Sequence, residues 1–342
     1  MKRVPRAFSR LLQHRRAMLL SLATLGGSTL PFTRARATTP ARAGSVPGVR
    51  EDRRRQPTAP LQGDTGAVLL AIGGNEDRRE GMAVLRRFVQ HCGGPQARIV
   101  VLTAASTVPQ ILWAGYERAF AALGVQRCVE LGLSSREEAD APAAVREILA
   151  ADGVFLTGGD QRRLLSVLGG SAVAEALRRA RAQRGLCVAG TSAGAAALSR
   201  QMLAGGRAPL LPEKDVVLLD EGLDLLPGAI IDQHFSERRR LARLMSAVAQ
   251  HPQLLGVGID EDTALVVERG AIEVVGSGAV TLLDGRHMAS SIERAQPGDR
   301  LTLAGLRVHV LQAGQRLGLQ ADGTTVAAPG LQEAVEVLVR AV

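Results

Sequence analysis

The sequence predicts an α/β fold: a doubly wound, mostly parallel sheet with a β-hairpin-rich C-terminal part. Three observations predict it. Short apolar runs alternate with segments of helical spacing from about 67 to 259. Irregular glycine-rich segments follow three of these runs, at Gly73-Gly74, Gly158-Gly159 and Gly190 to Gly194. Open α/β sheets bind ligands at that edge, outside the carboxyl ends of the strands. From Ala264 to Leu283 the pattern changes to short β runs with glycine-containing turns, which hairpins explain better than further βα units.

The elements follow in order. Ala67 to Ile72 is a continuous apolar run ending in Gly73-Gly74, as a buried parallel strand should. Gly81 to Cys92 carries Met82, Leu85, Phe88 and Val89 at helical spacing. A strand over Arg98 to Leu102, a helix over Val108 to Leu123 and a strand near Cys128 to Leu131 follow. Ala143 to Ala151 reads as a helix and Gly153 to Leu156 as a strand. A helix over Leu164 to Arg184, broken at Gly169-Gly170, leads into the strand Leu186 to Ala189. Further strands are expected at Val216 to Leu219, at Ile230-Ile231 and over Leu254 to Ile259. Ser236 is placed to cap a helix whose stripe is Leu241, Leu244, Met245 and Val248. Arg307 to Gln312 is the last expected strand and Leu331 to Arg340 a closing helix.

With 342 residues and 46% apolar content, the chain can build a full core. Aromatics are only 2%, so aliphatic and alanine packing must supply most of it. The net charge of +9 is unevenly spread: residues 1–60 hold 13 Lys/Arg against 2 Asp/Glu, and the remainder 29 against 31. The basic character belongs to the leader, and a nucleic-acid reading based on charge is dropped. Residues 1–37 have a basic start, an apolar run from Ala17 to Leu25 and a small-x-small site at Ala35-Arg36-Ala37, the marks of an export signal. Arg15-Arg16 before the run points to the twin-arginine route, and the run is too short for a stable membrane span. Residues 38–63 read as a flexible linker, and 64–342 as a single domain with a β-rich extension from about 264. Cys92, Cys128 and Cys187 are too few and scattered for a disulfide framework or zinc site. No metal is expected. G-x-G-x-x-G is absent after the first strand and no Walker A lysine is present, so no nicotinamide, flavin or nucleotide cofactor is expected.

The chemistry centres on Gly190-Thr191-Ser192-Ala193-Gly194, between a buried strand and an alanine-rich helix start. This is the setting of a nucleophile elbow, where small residues permit a tight turn and a serine Oγ stands above the strand ends. A serine nucleophile needs a base, and the base needs an orienting group. His234 stands at a strand end between polar residues, unlike the other histidines. Asp260-Glu261-Asp262 follows another strand. Glu261 is chosen as the orienting acid, and spacing alone leaves Asp260 and Asp262 open. Backbone N–H groups of Gly159 and Ala193 can form an oxyanion hole, and Gln161 can touch substrate. Arginines near the serine, Arg238 foremost, suit a carboxylate-bearing substrate.

Together, G-T-S-A-G-A at 190–195, T-G-G-D-Q at 157–161, D-Q-H-F at 232–235, R-x-R-x-x-R at 238–243, D-E-D-T-A at 260–264 and G-G-N-E-D at 73–77 resemble the cyanophycinases. These are serine peptidases related to the aspartyl dipeptidases of the peptidase E type. The resemblance implies a class I glutamine amidotransferase-like, flavodoxin-like fold. It implies hydrolysis of cyanophycin, a poly-aspartate with arginine on each β-carboxyl, to β-aspartyl-arginine dipeptides. It implies Ser192 as nucleophile, His234 as base and Glu261 as its orienting group. Gln161, Thr191, Asp232, Gln233, Arg238, Arg240 and Arg243 would shape the substrate pocket. It further implies no cofactor and a homodimer. Rival readings are a peptidase E-like dipeptidase, an esterase using G-x-S-x-G, and a non-catalytic polyaspartate-binding module. The esterase order would put the histidine after the acid, whereas His234 precedes Glu261.

Overall fold

The computed structural model describes residues 66–319, 325–326 and 328–340. The expected export signal over 1–37 and linker over 38–63 lie outside the described residues. The first half of the described chain runs β1 (Leu69–Ile72), α1 (Ala83–His91), β2 (Arg98–Leu102), α2 (Pro109–Ala122), β3 (Arg127–Leu131), α3 (Arg136–Asp140), α4 (Pro142–Ala150), β4 (Gly153–Leu156), α5 (Gln161–Leu168), α6 (Ala172–Arg184), β5 (Cys187–Thr191) and α7 (Ala193–Ala197). The five strands pair in parallel in the order β1-β5-β4-β2-β3.

Both faces of this sheet are covered, which is why its inner strands are near-continuous apolar runs, while the edge strand β3 carries Arg127 and Glu130. Leu69, Ala71, Val100, Leu102, Val154, Leu156 and Val188 pack with α4 to α7. The alternate residues Leu70, Ile72, Ile99, Val101, Phe155 and Ala189 pack with α1 and α2. Four aromatics gather on this second face. Phe88, Tyr116, Phe120 and Phe155 form one cluster, with Tyr116 and Phe155 centroids 4.9 Å apart. The break at Gly169-Gly170 falls where expected, and Ser171 Oγ accepts the Ala174 N–H to start α6.

The second half comprises β6 (Gln201–Gly206), β7 (Val217–Glu221), β8 (Ala229–Gln233), α8 (Leu241–Gln250), β9 (Leu255–Ile259), β10 (Thr263–Glu268), β11 (Ala271–Gly276), β12 (Ala279–Asp284), β13 (Ala289–Ser290), β14 (Leu303–Ala304), β15 (Arg307–Gln312), β16 (Arg316–Gly318), β17 (Thr325–Val326) and α9 (Pro329–Val339). Here the arrangement departs from a single sheet. β10, β11 and β16 add antiparallel strands beyond β1, and with β17 they bring the central sheet to nine strands. β8 and β9 pair in parallel with each other in a separate four-stranded sheet, completed by β12 and β15. The hairpin-rich part is therefore woven into both sheets.

Two local expectations are corrected. Ser236 does not cap α8, which begins at Leu241 after Arg240 and has no side-chain cap. His234 and Arg239 have φ values of 49° and 52°, so residues 234–240 turn instead of coiling as a helix. Leu241 is consequently exposed, while Leu244 and Val248 of the expected stripe are buried. Arg307–Gln312 is also not the last strand, because β16 and β17 follow it. Among the described residues, no helix is long and apolar enough to cross a membrane.

Candidate active site

Five chain segments converge at the carboxyl ends of β1, β4, β5, β8 and β9. The turn after β5 is sharp: Ser192 has φ 52° and ψ −113°. A Cβ at Gly190 would lie 2.4 Å from Gly194 O, and one at Gly194 would lie 2.3 Å from Leu156 O. Only glycine fits at either position, and this is the physical content of the G-x-S-x-G pattern.

Ser192 Oγ lies 2.9 Å from His234 Nε2. His234 Nδ1 lies 2.6 Å from Glu261 Oε1, and Asn75 Nδ2 donates to Glu261 Oε2 at 2.9 Å. The imidazole packs over Gly74, where a Cβ would come within 2.4 Å of the ring. His234 N donates to Gly73 O at 2.8 Å, and Gly73 N to Thr263 O at 2.9 Å. The first of these bonds, with Asp262 N donating to Gly74 O at 2.9 Å, ties the loop after β1 to the turns after β8 and β9, which bring His234 and Glu261 to the serine although β8 and β9 lie in a different sheet from β5.

The three acids after β9 differ in what they touch. Asp260 accepts the N–H groups of Ser236 and Ala279, both at 3.1 Å. Asp262 accepts the Asp77 N–H at 2.8 Å. Glu261 alone of the three reaches the imidazole. Its carboxyl is held below the ordinary range, first by the bond to His234 and further by Asn75 and the charge of Arg238, against an opposing effect of burial. A carboxylate facing Nδ1 favours the tautomer with its proton there, in which Nε2 can accept from Ser192.

Beside the serine, Gly158 approaches so closely that a Cβ there would be 3.2 Å from Ser192 Cβ. Gly159 has φ 149°, and a Cβ on it would lie 2.1 Å from Ala105 O. Ala193 opens α7 directly after Ser192, so its N–H lacks an intrahelical partner. A cavity of about 500 Å³ opens here, lined by Ser106, Thr107, Gly158, Gly159, Gln161 and Arg162 among others. Gln161 borders it while its amide donates to Leu203 O and Ala204 O at 3.0 Å, tying α5 to β6.

The remaining expected pocket residues divide. Arg238 is exposed on the turn after His234. Asp232 is fully buried and accepts Arg243 Nε at 2.9 Å and Nη2 at 2.8 Å, together with Arg240 Nη1 at 3.1 Å. Arg240 also donates to Gln233 Oε1 at 3.0 Å. Asp232, Gln233, Arg240 and Arg243 thus contact one another in a buried cluster, with two cations to one carboxylate. Thr191 is turned away from the cavity: its hydroxyl donates to buried Glu76 at 2.6 Å. Tyr116 hydroxyl donates to the other oxygen of Glu76. Burial and then the Glu76 charge push the Tyr116 phenol well above its usual range.

Asn75, Glu76, Tyr116 and Glu237, whose Oε1 accepts Glu261 N at 3.2 Å, are site residues that sequence reasoning assigned no role. Asn75 and Glu76 had a signal, since they lie in the G-G-N-E-D stretch. Among the described residues, no group of three His, Cys, Asp or Glu side chains is arranged to hold a metal ion.

The model of peptidase family S51 matches residues 68–275. The chain belongs to peptidase family S51. This span contains every site residue described above. A protein of Nostoc sp. named cyanophycinase is 40% identical over 257 residues, 75% of this chain and 86% of its own. A cyanophycinase of Geminocystis herdmanii is 37% identical over 250 residues, covering 72% of this chain and 92% of its own. The crystal structure of a peptidase from an acI-B1 actinobacterium superposes with a TM-score of 0.56 at 22% identity, covering 74% of this chain and 97% of that one. That likeness concerns the fold: a mixed α/β architecture around a large central sheet. As an S51 member, the chain is a peptidase-type hydrolase.

Proposed function

We propose that this hydrolase degrades cyanophycin to β-aspartyl-arginine dipeptides, with Ser192 as nucleophile, His234 as general base and Glu261 as its orienting acid. The observation that carries the mechanism is the unbroken chain from Ser192 Oγ through His234 to Glu261 at 2.9 and 2.6 Å. The substrate reading rests on relatives 36–40% identical that bear the name cyanophycinase. In the proposed reaction His234 Nε2 takes the Ser192 proton as Oγ attacks a backbone carbonyl of the polymer. The N–H groups of Gly159 and Ala193 hold the oxyanion. His234 then gives its proton to the leaving amine, and water, activated by the same imidazole, releases the acyl group. The surplus cation of the Asp232 cluster and the exposed Arg238 favour a substrate rich in carboxylates.

We further read the fold as the flavodoxin-like sheet of the class I glutamine amidotransferases. The order β3-β2-β4-β5 matches the first four positions of the 2-1-3-4-5 order, with β1 in the fifth.

Incubating the purified protein with insoluble cyanophycin is expected to release β-aspartyl-arginine, detected by mass analysis, and Ser192→Ala is expected to abolish release. Cleavage of α-linked aspartyl dipeptides without β-aspartyl-arginine would make it a peptidase E-type enzyme instead. Release undiminished in Ser192→Ala would remove the nucleophile assignment. Export is proposed on the leader sequence alone. Expression in a Gram-negative host should yield a periplasmic protein starting near Thr38, and a cytoplasmic protein retaining Met1 contradicts it.

A further inference from the structure

The β1 loop, residues 73–77, meets His234 and Glu261 directly and Ser192 through its neighbour Thr191. Gly73 O accepts His234 N, Gly74 leaves room for the imidazole, and Glu76 holds the hydroxyl of Thr191, the neighbour of Ser192. Asn75 meets the third member. Its Nδ2 donates to Glu261 Oε2 at 2.9 Å while Oε1 faces His234 Nδ1 at 2.6 Å. We propose that Asn75 is a positioning residue of the relay, fixing the rotation of the Glu261 carboxylate so that one oxygen stays aimed at His234 Nδ1. The proposal rests on the roles given to Ser192, His234 and Glu261 above.

The backbone and the chemistry at position 75 together select asparagine. Asn75 has φ 49°, a conformation that glycine, asparagine and aspartate adopt with least strain. Of these three, only asparagine has a side-chain N–H to donate. Aspartate would set a second carboxylate against Glu261, and glycine would leave Oε2 to water. The orientation of the Asn75 amide follows, because its carbonyl oxygen facing Glu261 would oppose two acceptors. The terminal torsion of a glutamate is soft and nearly two-fold. The Glu261 N–H to Glu237 restrains the main chain but not that torsion. Donors on both carboxylate oxygens do restrain it.

The loop itself is braced independently of residue 75. Asp77 accepts the N–H groups of Arg79, Glu80 and Met82 and donates its own N–H to Asp262. The accepted N–H groups, that of Met82 first, hold the Asp77 carboxyl down at about 2. Asn75→Gly and Asn75→Asp therefore change the side chain while the loop keeps its path.

Diisopropyl fluorophosphate tests the relay without any assumption about the natural substrate. Ser192 Oγ bonds to phosphorus, fluoride leaves, and the hydroxyl proton passes to His234. In Asn75→Gly the saturating inactivation rate constant is expected to fall about tenfold, the scale of a lost hydrogen bond to a charged group. Asn75→Asp should fall further. The inhibitor's half-saturation concentration should stay constant. The far-downfield proton resonance of His234 Nδ1–H should shift or broaden in both variants, a change that loop support alone would not cause. Wild-type inactivation rate and resonance in both folded variants would overturn the proposal. Failure of the wild-type protein to be labelled at Ser192 would instead overturn the relay on which it rests.

Discussion

Replacing His234 with alanine is expected to lower the rate of dipeptide release by about four to six orders of magnitude, the scale seen when the histidine of a serine relay is lost. The Ser192 hydroxyl has its bond to His234 Nε2 at 2.9 Å. Without that acceptor the proton has nowhere to go as Oγ attacks, and the departing amine has no acid. The backbone at 234 complicates a simple alanine substitution, because φ is 49° and alanine is strained there by about 1–2 kcal/mol. His234→Asn separates the two effects: asparagine tolerates this conformation but is no base. Both variants should lose activity equally and remain folded by circular dichroism. Recovery in His234→Asn to within tenfold of wild type would mean that the backbone, and not the imidazole, matters at this position.

The legible parts of fold and site share a physical cause. Strands buried on both faces, such as Val100 to Leu102 and Val154 to Leu156, stand out as apolar runs whatever their neighbours are. The elbow stands out because two glycines are forced: a Cβ on either would lie 2.4 or 2.3 Å from a backbone oxygen. What escaped the sequence depends on distant partners. Arg136–Asp140 has one buried residue, Ala139, and no apolar stripe to betray a helix. Gln201–Gly206 ends in two glycines and is a strand because Val217–Glu221 pairs with it. Nothing local says that β10 borders β1, or that β8 and β9 leave the central sheet. Within the site, the three acids at 260–262 are equivalent by spacing. They separate only once Ser236, Ala279 and Asp77 supply partners for Asp260 and Asp262. Asp232 and the arginines are ambiguous in another way, for charged residues beside a nucleophile resemble a substrate pocket whether they face the cleft or each other.

That ambiguity is open to experiment at Asp232. Asp232→Ala is expected to destabilise the fold by about 3–5 kcal/mol, the cost of removing one partner from a buried ion cluster. The Asp232 side chain is fully buried and makes a two-pronged bond to Arg243 and a third bond to Arg240. Removing it leaves two guanidinium groups, both themselves buried, without the carboxylate they share. Burial pushes the Arg240 guanidinium below its ordinary value, with the charge of Asp232 opposing that shift. Asp232→Asn should cost less, because an amide oxygen still accepts from Arg243. The denaturant midpoint of the three proteins at neutral pH measures this order, with the slope checked for constancy. A different result would follow if Asp232 met the substrate's guanidinium directly: Asp232→Ala would keep the wild-type midpoint, and the half-saturating concentration of polymer would rise. Since β8 carries Asp232 two residues before His234, loss of the cluster should also loosen the turn that presents the imidazole. Activity and stability should therefore fall together in Asp232→Ala, whereas in His234→Asn activity falls with the fold intact.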